Sequence, residues 1–130
     1  MKALSLLILL IATACRTVEP VPGSKAELRV VPVKRYDSEL LIRLVISNRL
    51  QDAFVYRGYS WGEVLVNVER KGFRGWRERG FTCGDGALPF SIAPGESREL
   101  RTRVYAEPGE VIRLVVHGED GSRAVSAPLK

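Results

Sequence analysis

From about residue 26 to the end of the chain, apolar and polar residues alternate with period two, and no stretch carries the 3.6-residue period of an amphipathic helix. The clearest alternation places Leu40, Ile42, Leu44 and Ile46 on one face of a strand and Leu41, Arg43, Val45 and Ser47 on the other. Val64, Val66 and Val68 alternate with Glu63, Leu65, Asn67 and Glu69. Leu100, Thr102 and Val104 alternate with Glu99, Arg101, Arg103 and Tyr105, and Ile112, Leu114 and Val116 with Arg113, Val115 and His117. Each pattern predicts a half-buried strand with a wet outer face. Weaker strands are predicted over Glu27 to Val33, Phe54 to Tyr56, Gly75 to Thr82 and Ala124 to Leu129, where prolines or glycines crowd the ends. Turn residues fall between them at Tyr36-Asp37-Ser38, Asn48 to Asp52, Arg70 to Gly72, Gly84-Asp85-Gly86, Pro94-Gly95, Pro108-Gly109 and Asp120-Gly121.

Seven or eight short strands predict an all-β fold over residues 26–130, a single immunoglobulin-like antiparallel β-sandwich. Two half-apolar sheets bury their faces by packing on each other. The disulfide that joins the sheets of antibody domains is not expected, because the chain has two cysteines, Cys15 and Cys83, and Cys15 precedes the strands.

The alternation is absent from the N-terminus. Lys2 is followed by the apolar run Leu4 to Ile11, which is far shorter than the about 20 residues that cross a hydrocarbon core. Residues 1–14 therefore read as a cleaved signal peptide, with Ala12-Thr13-Ala14 as the small residues before the cut. Residues 15–25 (CRTVEPVPGSK) hold two prolines and a glycine without apolar periodicity, and read as a tether. In extended form ten such residues span about 30 Å.

Composition changes little in this picture. The 130 residues include 20 Lys plus Arg against 15 Asp plus Glu, with 45% hydrophobic residues, as in ordinary globular domains. Export makes nucleic acid a poor partner for the net positive charge. The chain has one histidine, His117, and no CxxC or HExxH spacing, so neither a zinc site nor another cofactor is expected. Cys83 lacks the sequence context of a catalytic thiol and reads as a shielded structural residue. Asp85, Glu119 and Asp120 lie beside glycines in the setting of turn formers, and no calcium loop is present. No enzyme and no small-molecule substrate are expected.

Ala12-Thr13-Ala14-Cys15 resembles the lipobox of bacterial lipoproteins, with Ala12 where leucine is usual. The resemblance implies that Cys15 is lipidated and becomes the first residue after cleavage. It also implies sorting to the outer membrane, facing the periplasm, because Arg16 stands where an aspartate commonly retains lipoproteins in the inner membrane. The alternative is a soluble periplasmic domain cut at the same bond by ordinary signal peptidase. Within the strands, Leu44-Val45-Ile46-Ser47-Asn48 and Ala93-Pro94-Gly95-Glu96-Ser97, with Gly75-Trp76 or Gly72 and Trp76 between them, resemble bacterial Ig-like modules of the BsuPI proteinase-inhibitor type.

Two constellations are candidates for partner contact. Between Glu69 and Phe81, the basic residues Arg70, Lys71, Arg74, Arg77 and Arg79 interleave with Phe73, Trp76 and Phe81. Guanidinium groups fork phosphate oxygens while rings add desolvated contact area, so the segment is a candidate for binding phosphate-rich lipid A, an anionic glycan or an acidic partner protein; the alternative is a hairpin with its rings toward the core and its arginines solvated. Arg101 and Arg103 either extend this patch or balance nearby acids. Between Phe54 and Gly62, Tyr56, Tyr59 and Trp61 are candidate interface aromatics, unless they plug the end of a small core. The functional expectation is a non-enzymatic, lipid-anchored envelope module. It would bind a protein partner as an accessory subunit or scaffold, with a protease inhibitor of the BsuPI type as the alternative.

Overall fold

A computed structural model of the chain describes residues 26–79 and 84–130. The signal peptide, the tether, Cys15, Phe81 and Cys83 lie outside the described residues. The chain is an all-β sandwich, compatible with an immunoglobulin-like arrangement, with nine strands among the described residues. They are β1 (Glu27–Tyr36), β2 (Glu39–Ser47), β3 (Phe54–Gly58), β4 (Asn67–Gly72), β5 (Gly75–Glu78), β6 (Leu88–Ile92), β7 (Ser97–Tyr105), β8 (Ile112–His117) and β9 (Arg123–Val125). A seven-stranded sheet in the order β5-β4-β8-β9-β1-β2-β7 packs with a two-stranded sheet of β3 and β6.

The alternation in β2 sets the core. Ile42, Leu44 and Ile46 are buried while Arg43 is exposed, and β2 is paired along its length with β1 on one side and β7 on the other. Leu44 faces Val30 and Leu100 across the two ladders. With Phe54, Tyr56, Ile92, Val104, Ile112, Leu114 and Val116 it forms one continuous apolar cluster.

The outer edge of β7 is also covered. Val64 N–H donates to the Arg101 carbonyl at 3.1 Å, and Arg101 N–H donates to the Gly62 carbonyl at 2.7 Å, so the chain leading into β4 also lies along the free edge of β7. Backbone that an open edge would expose is thereby paired. Two contacts depart from the antiparallel expectation: Glu63 and Arg101 meet in parallel in this edge pairing, and β1 and β9 meet in parallel at Glu27 and Val125. β1 and β9 come from opposite ends of the domain, so no tight turn constrains their direction.

Four further predictions need correction. The strand expected from Glu63 starts only at Asn67; Val64 and Val66 are nevertheless buried, since their alternation reports a core face that continues outside the regular ladder. Arg70 to Gly72 belong to β4 and not to a turn, which falls instead at Phe73-Arg74, where Gly75 adopts φ 103°. Strand β6 was not expected, because Pro89 argues against a strand interior; β6 pairs only with β3, and proline is tolerated on such an edge. Strand β8 lacks a fully wet outer face, for Val115 is buried as deeply as its neighbours in a strand held between β4 and β9.

Asn48, at the end of β2, is a buried polar residue with its side chain satisfied. Its Nδ2 donates to the carbonyls of Asp52 and Ile92, each at 2.9 Å, and its Oδ1 accepts from Leu50 N–H at 2.9 Å. Its backbone N–H donates to Glu96 O, and its carbonyl accepts from Gly95 N–H. The two motifs that carried the BsuPI resemblance thus meet directly at one end of the sandwich.

Candidate functional site

The basic-aromatic segment folds as the β4–β5 hairpin, with Arg70 opposite Arg77, Lys71 opposite Trp76 and Glu69 opposite Glu78. Its position follows from strand direction. β9 runs parallel to β1, β8 antiparallel to β9, and β4 antiparallel to β8, so β4 runs the same way as β1. The hairpin tip therefore lies at the pole of the β1–β2 turn and the β7–β8 loop, opposite the point where the chain enters at Ala26.

Internal ion pairs divide the basic residues into two groups. Glu110, from the β7–β8 loop, accepts through Oε2 from Arg79 Nη1 and from Glu107 N–H, and it reaches Arg70 Nη1 at 3.5 Å through Oε1. Arg79 Nη1 also donates to the Tyr105 carbonyl at 3.1 Å. On the other face, Glu69 is largely buried between Arg113, at 2.7 Å, and Arg123, at 3.2 Å. Arg113 also stacks its guanidinium 4.5 Å from the centre of the Trp76 ring, so Trp76 is a half-buried structural partner of the sheet. Lys71, Arg74 and Arg77 are exposed and make no ion pair among the described residues. Phe73, at the tip, is completely exposed, at 105%. Arg70, Gly72, Phe73, Arg74 and Arg77 line an open cleft of about 390 Å³.

Neither sequence reading of the hairpin describes it fully. Trp76 is tied to the sheet and two arginines are paired, whereas Phe73 and three basic side chains are displayed. Glu110, Arg113 and Arg123 complete the arrangement from distant segments, and no local signal in the sequence marks them. The contrast is testable. Glu110→Gln should lower stability by about 1–2 kcal/mol in thermal unfolding, since it weakens charge-assisted bonds to two arginines and a backbone N–H. Arg74→Ser should leave stability within about 0.5 kcal/mol. Arg103 pairs with Glu39 at 2.7 Å, so it balances a nearby acid and does not extend the patch.

The aromatic loop divides in the same way. Phe54 and Tyr56 are fully buried in the core, so Tyr56, proposed above as an interface residue, offers no surface to a partner. Its hydroxyl accepts from Arg98 Nη1 at 3.3 Å, and its ring stacks on Phe90 at 5.8 Å. Tyr59 and Trp61 are exposed, at 47% and 69%. Trp61 leans against Phe90, with ring centres 5.1 Å apart, and against the Arg98 guanidinium at 5.2 Å. Gly58 admits this loop because a Cβ there would lie 2.0 Å from the Glu63 carbonyl oxygen. Phe90 and Arg98 were not foreseen, since Phe90 belongs to the unexpected strand and Arg98 is a charged residue half-buried on the inward face of β7, in line with Leu100 and Val104.

Asp120 is a turn former, as expected: its carboxylate accepts from the Ser122 hydroxyl and N–H, and these bonds hold it below the usual carboxylate range. His117 is exposed on β8. Among the described residues no three His, Cys, Asp or Glu side chains group as metal ligands, and no helix is long and apolar enough to cross a membrane. No family model and no curated protein matches the chain.

Proposed function

We propose that this chain is a lipid-anchored module of the bacterial cell envelope that acts by binding a partner protein, as an accessory subunit or scaffold. The observation that carries the reading is the apolar run Leu4 to Ile11 ending at Ala12-Thr13-Ala14-Cys15. A run of that length addresses export, and a cysteine directly after small residues is the lipoprotein arrangement. The β-sandwich supports it by offering exposed contact groups, Trp61 with Tyr59 on one loop and Phe73 at a hairpin tip.

Cys15→Ser is the decisive variant. In a bacterial host it is expected to abolish acyl labelling and leave the uncut precursor, because the lipoprotein peptidase requires the acylated thioether. A processed, soluble periplasmic product would establish the plain secretory alternative.

A second reading, inhibition of a protease, draws on the Asn48 and Pro94 to Ser97 motifs that resemble the BsuPI type and that meet at Asn48 N–H and Glu96 O. Stoichiometric loss of activity of a subtilisin-like protease would support it. Co-purification with envelope proteins without inhibition supports the scaffold.

A further inference from the structure

We infer that the β4–β5 hairpin is a membrane-contact finger, which seats Phe73 at the headgroup boundary of an anionic bilayer and holds lipid phosphates with Arg77, Arg74 and Lys71. The starting point is a pairing that the fold leaves unrelieved. Like charges directly opposite each other on an antiparallel ladder repel. Where Glu69 faces Glu78, Arg113 and Arg123 neutralise Glu69. Where Arg70 faces Arg77, one carboxylate, Glu110, reaches Arg70 at 3.5 Å, and none among the described residues reaches Arg77.

Arg70 and Arg77 share a face of the hairpin and line the cleft together with Arg74 and Phe73. An anion in that cleft would relieve the repulsion, because a guanidinium forks phosphate oxygens. The ring beside it sets the class of ligand. A soluble anion gives Phe73 nothing to bury against, whereas an anionic bilayer offers phosphates and, just beneath them, an apolar layer. A completely exposed phenylalanine on a hairpin whose Lys71, Arg74 and Arg77 make no ion pair among the described residues fits that layered chemistry.

Reach permits the contact on the anchoring membrane itself. The finger lies at the pole away from chain entry, about 33 Å along the ten-residue β1, and the eleven residues from Cys15 to Lys25 extend to about 36 Å. A domain lying along the bilayer satisfies both. The inference rests on the envelope reading only for the presence of a bilayer.

The test omits the lipid anchor, so that the two proposals fail separately. The apolar cluster lies between Ala26 and Leu129, and a chain that begins at residue 15 with Cys15→Ser retains all of it. That chain should sediment with vesicles of phosphatidylglycerol and phosphatidylcholine, less so as salt rises, and not with phosphatidylcholine alone. Arg74→Ser with Arg77→Ser should weaken the binding about thirtyfold, each basic residue near a charged surface contributing close to a factor of five. Phe73→Ser should weaken it several-fold with unchanged thermal unfolding, and this variant keeps the test decisive if the double variant misfolds. Absence of sedimentation would overturn the inference, as would binding that Phe73→Ser leaves intact. Arginine-dependent binding to soluble polyphosphate without vesicle binding would overturn it as well.

Discussion

Leu44→Asp is expected to leave no folded domain. Leu44 has no solvent exposure and sits in the middle of β2, with a strand hydrogen-bonded on each side and the apolar cluster against its side chain. The substitution removes about 1.5–3 kcal/mol of apolar burial and adds the cost of an unpaired carboxylate, several kcal/mol, in a site that cannot hydrate it. Domains of this size are stable by only about 5–15 kcal/mol. The expected result is loss of near-ultraviolet circular dichroism and of a cooperative thermal transition. A folded, soluble Leu44→Asp protein would mean that Leu41, Val45 and their neighbours form the core face of β2 instead.

Asn48→Ala is the second large effect, expected at about 2–4 kcal/mol and a fall in melting temperature on the order of 10 °C or more. The side chain of Asn48 serves three backbone groups, Asp52 O, Ile92 O and Leu50 N–H, and thereby ties the end of β2 to the end of β6 and to the loop between β2 and β3. Alanine leaves those groups without their partner at a site where the residue itself is 1% exposed. The penalty for an orphaned buried group exceeds the net gain of an average hydrogen bond, which keeps the loss at about 2–4 kcal/mol although two of the three bonds are only partly buried. Asn48→Asp should be no better, since it keeps the acceptor for Leu50 N–H but turns a carboxylate toward two carbonyl oxygens. A melting temperature within 2–3 °C of the parent, an effect of about half a kcal/mol, would show that water replaces the amide.

The two effects differ in how far they could be read in the sequence. Leu44 was legible because a strand with one buried face must alternate, and from Ile42 to Ser47 the buried residues of β2 fall at every second position. Asn48 was legible as a motif at the end of β2, but its reason lies in Ile92 and Glu96, residues from segments that local pattern does not connect to it. Strand β6 was hidden because Pro89 breaks the strand signal, and a two-stranded sheet tolerates what an interior strand would reject.

By itself the sequence determined the all-β class, the core faces of β2, β7 and β8, most turns, and the N-terminal pattern from which export and lipidation are proposed. These are local properties: alternation, turn chemistry and the length of an apolar run depend on neighbours in the chain. Tertiary structure alone decided the covering of the β7 edge by Gly62 and Val64 at Arg101, the burial of Tyr56 beside the exposure of Trp61, and the division of the basic segment. Seen as sequence, Arg70, Lys71, Arg74, Arg77 and Arg79 are equivalent charges. They become different when folding brings Glu110 to Arg79 and Arg70 and leaves Lys71, Arg74 and Arg77 without an ion pair among the described residues, with Arg74 and Arg77 beside Phe73. The reason is physical: an ion pair exists only where two side chains meet, and Glu110 lies 31 residues from Arg79 along the chain.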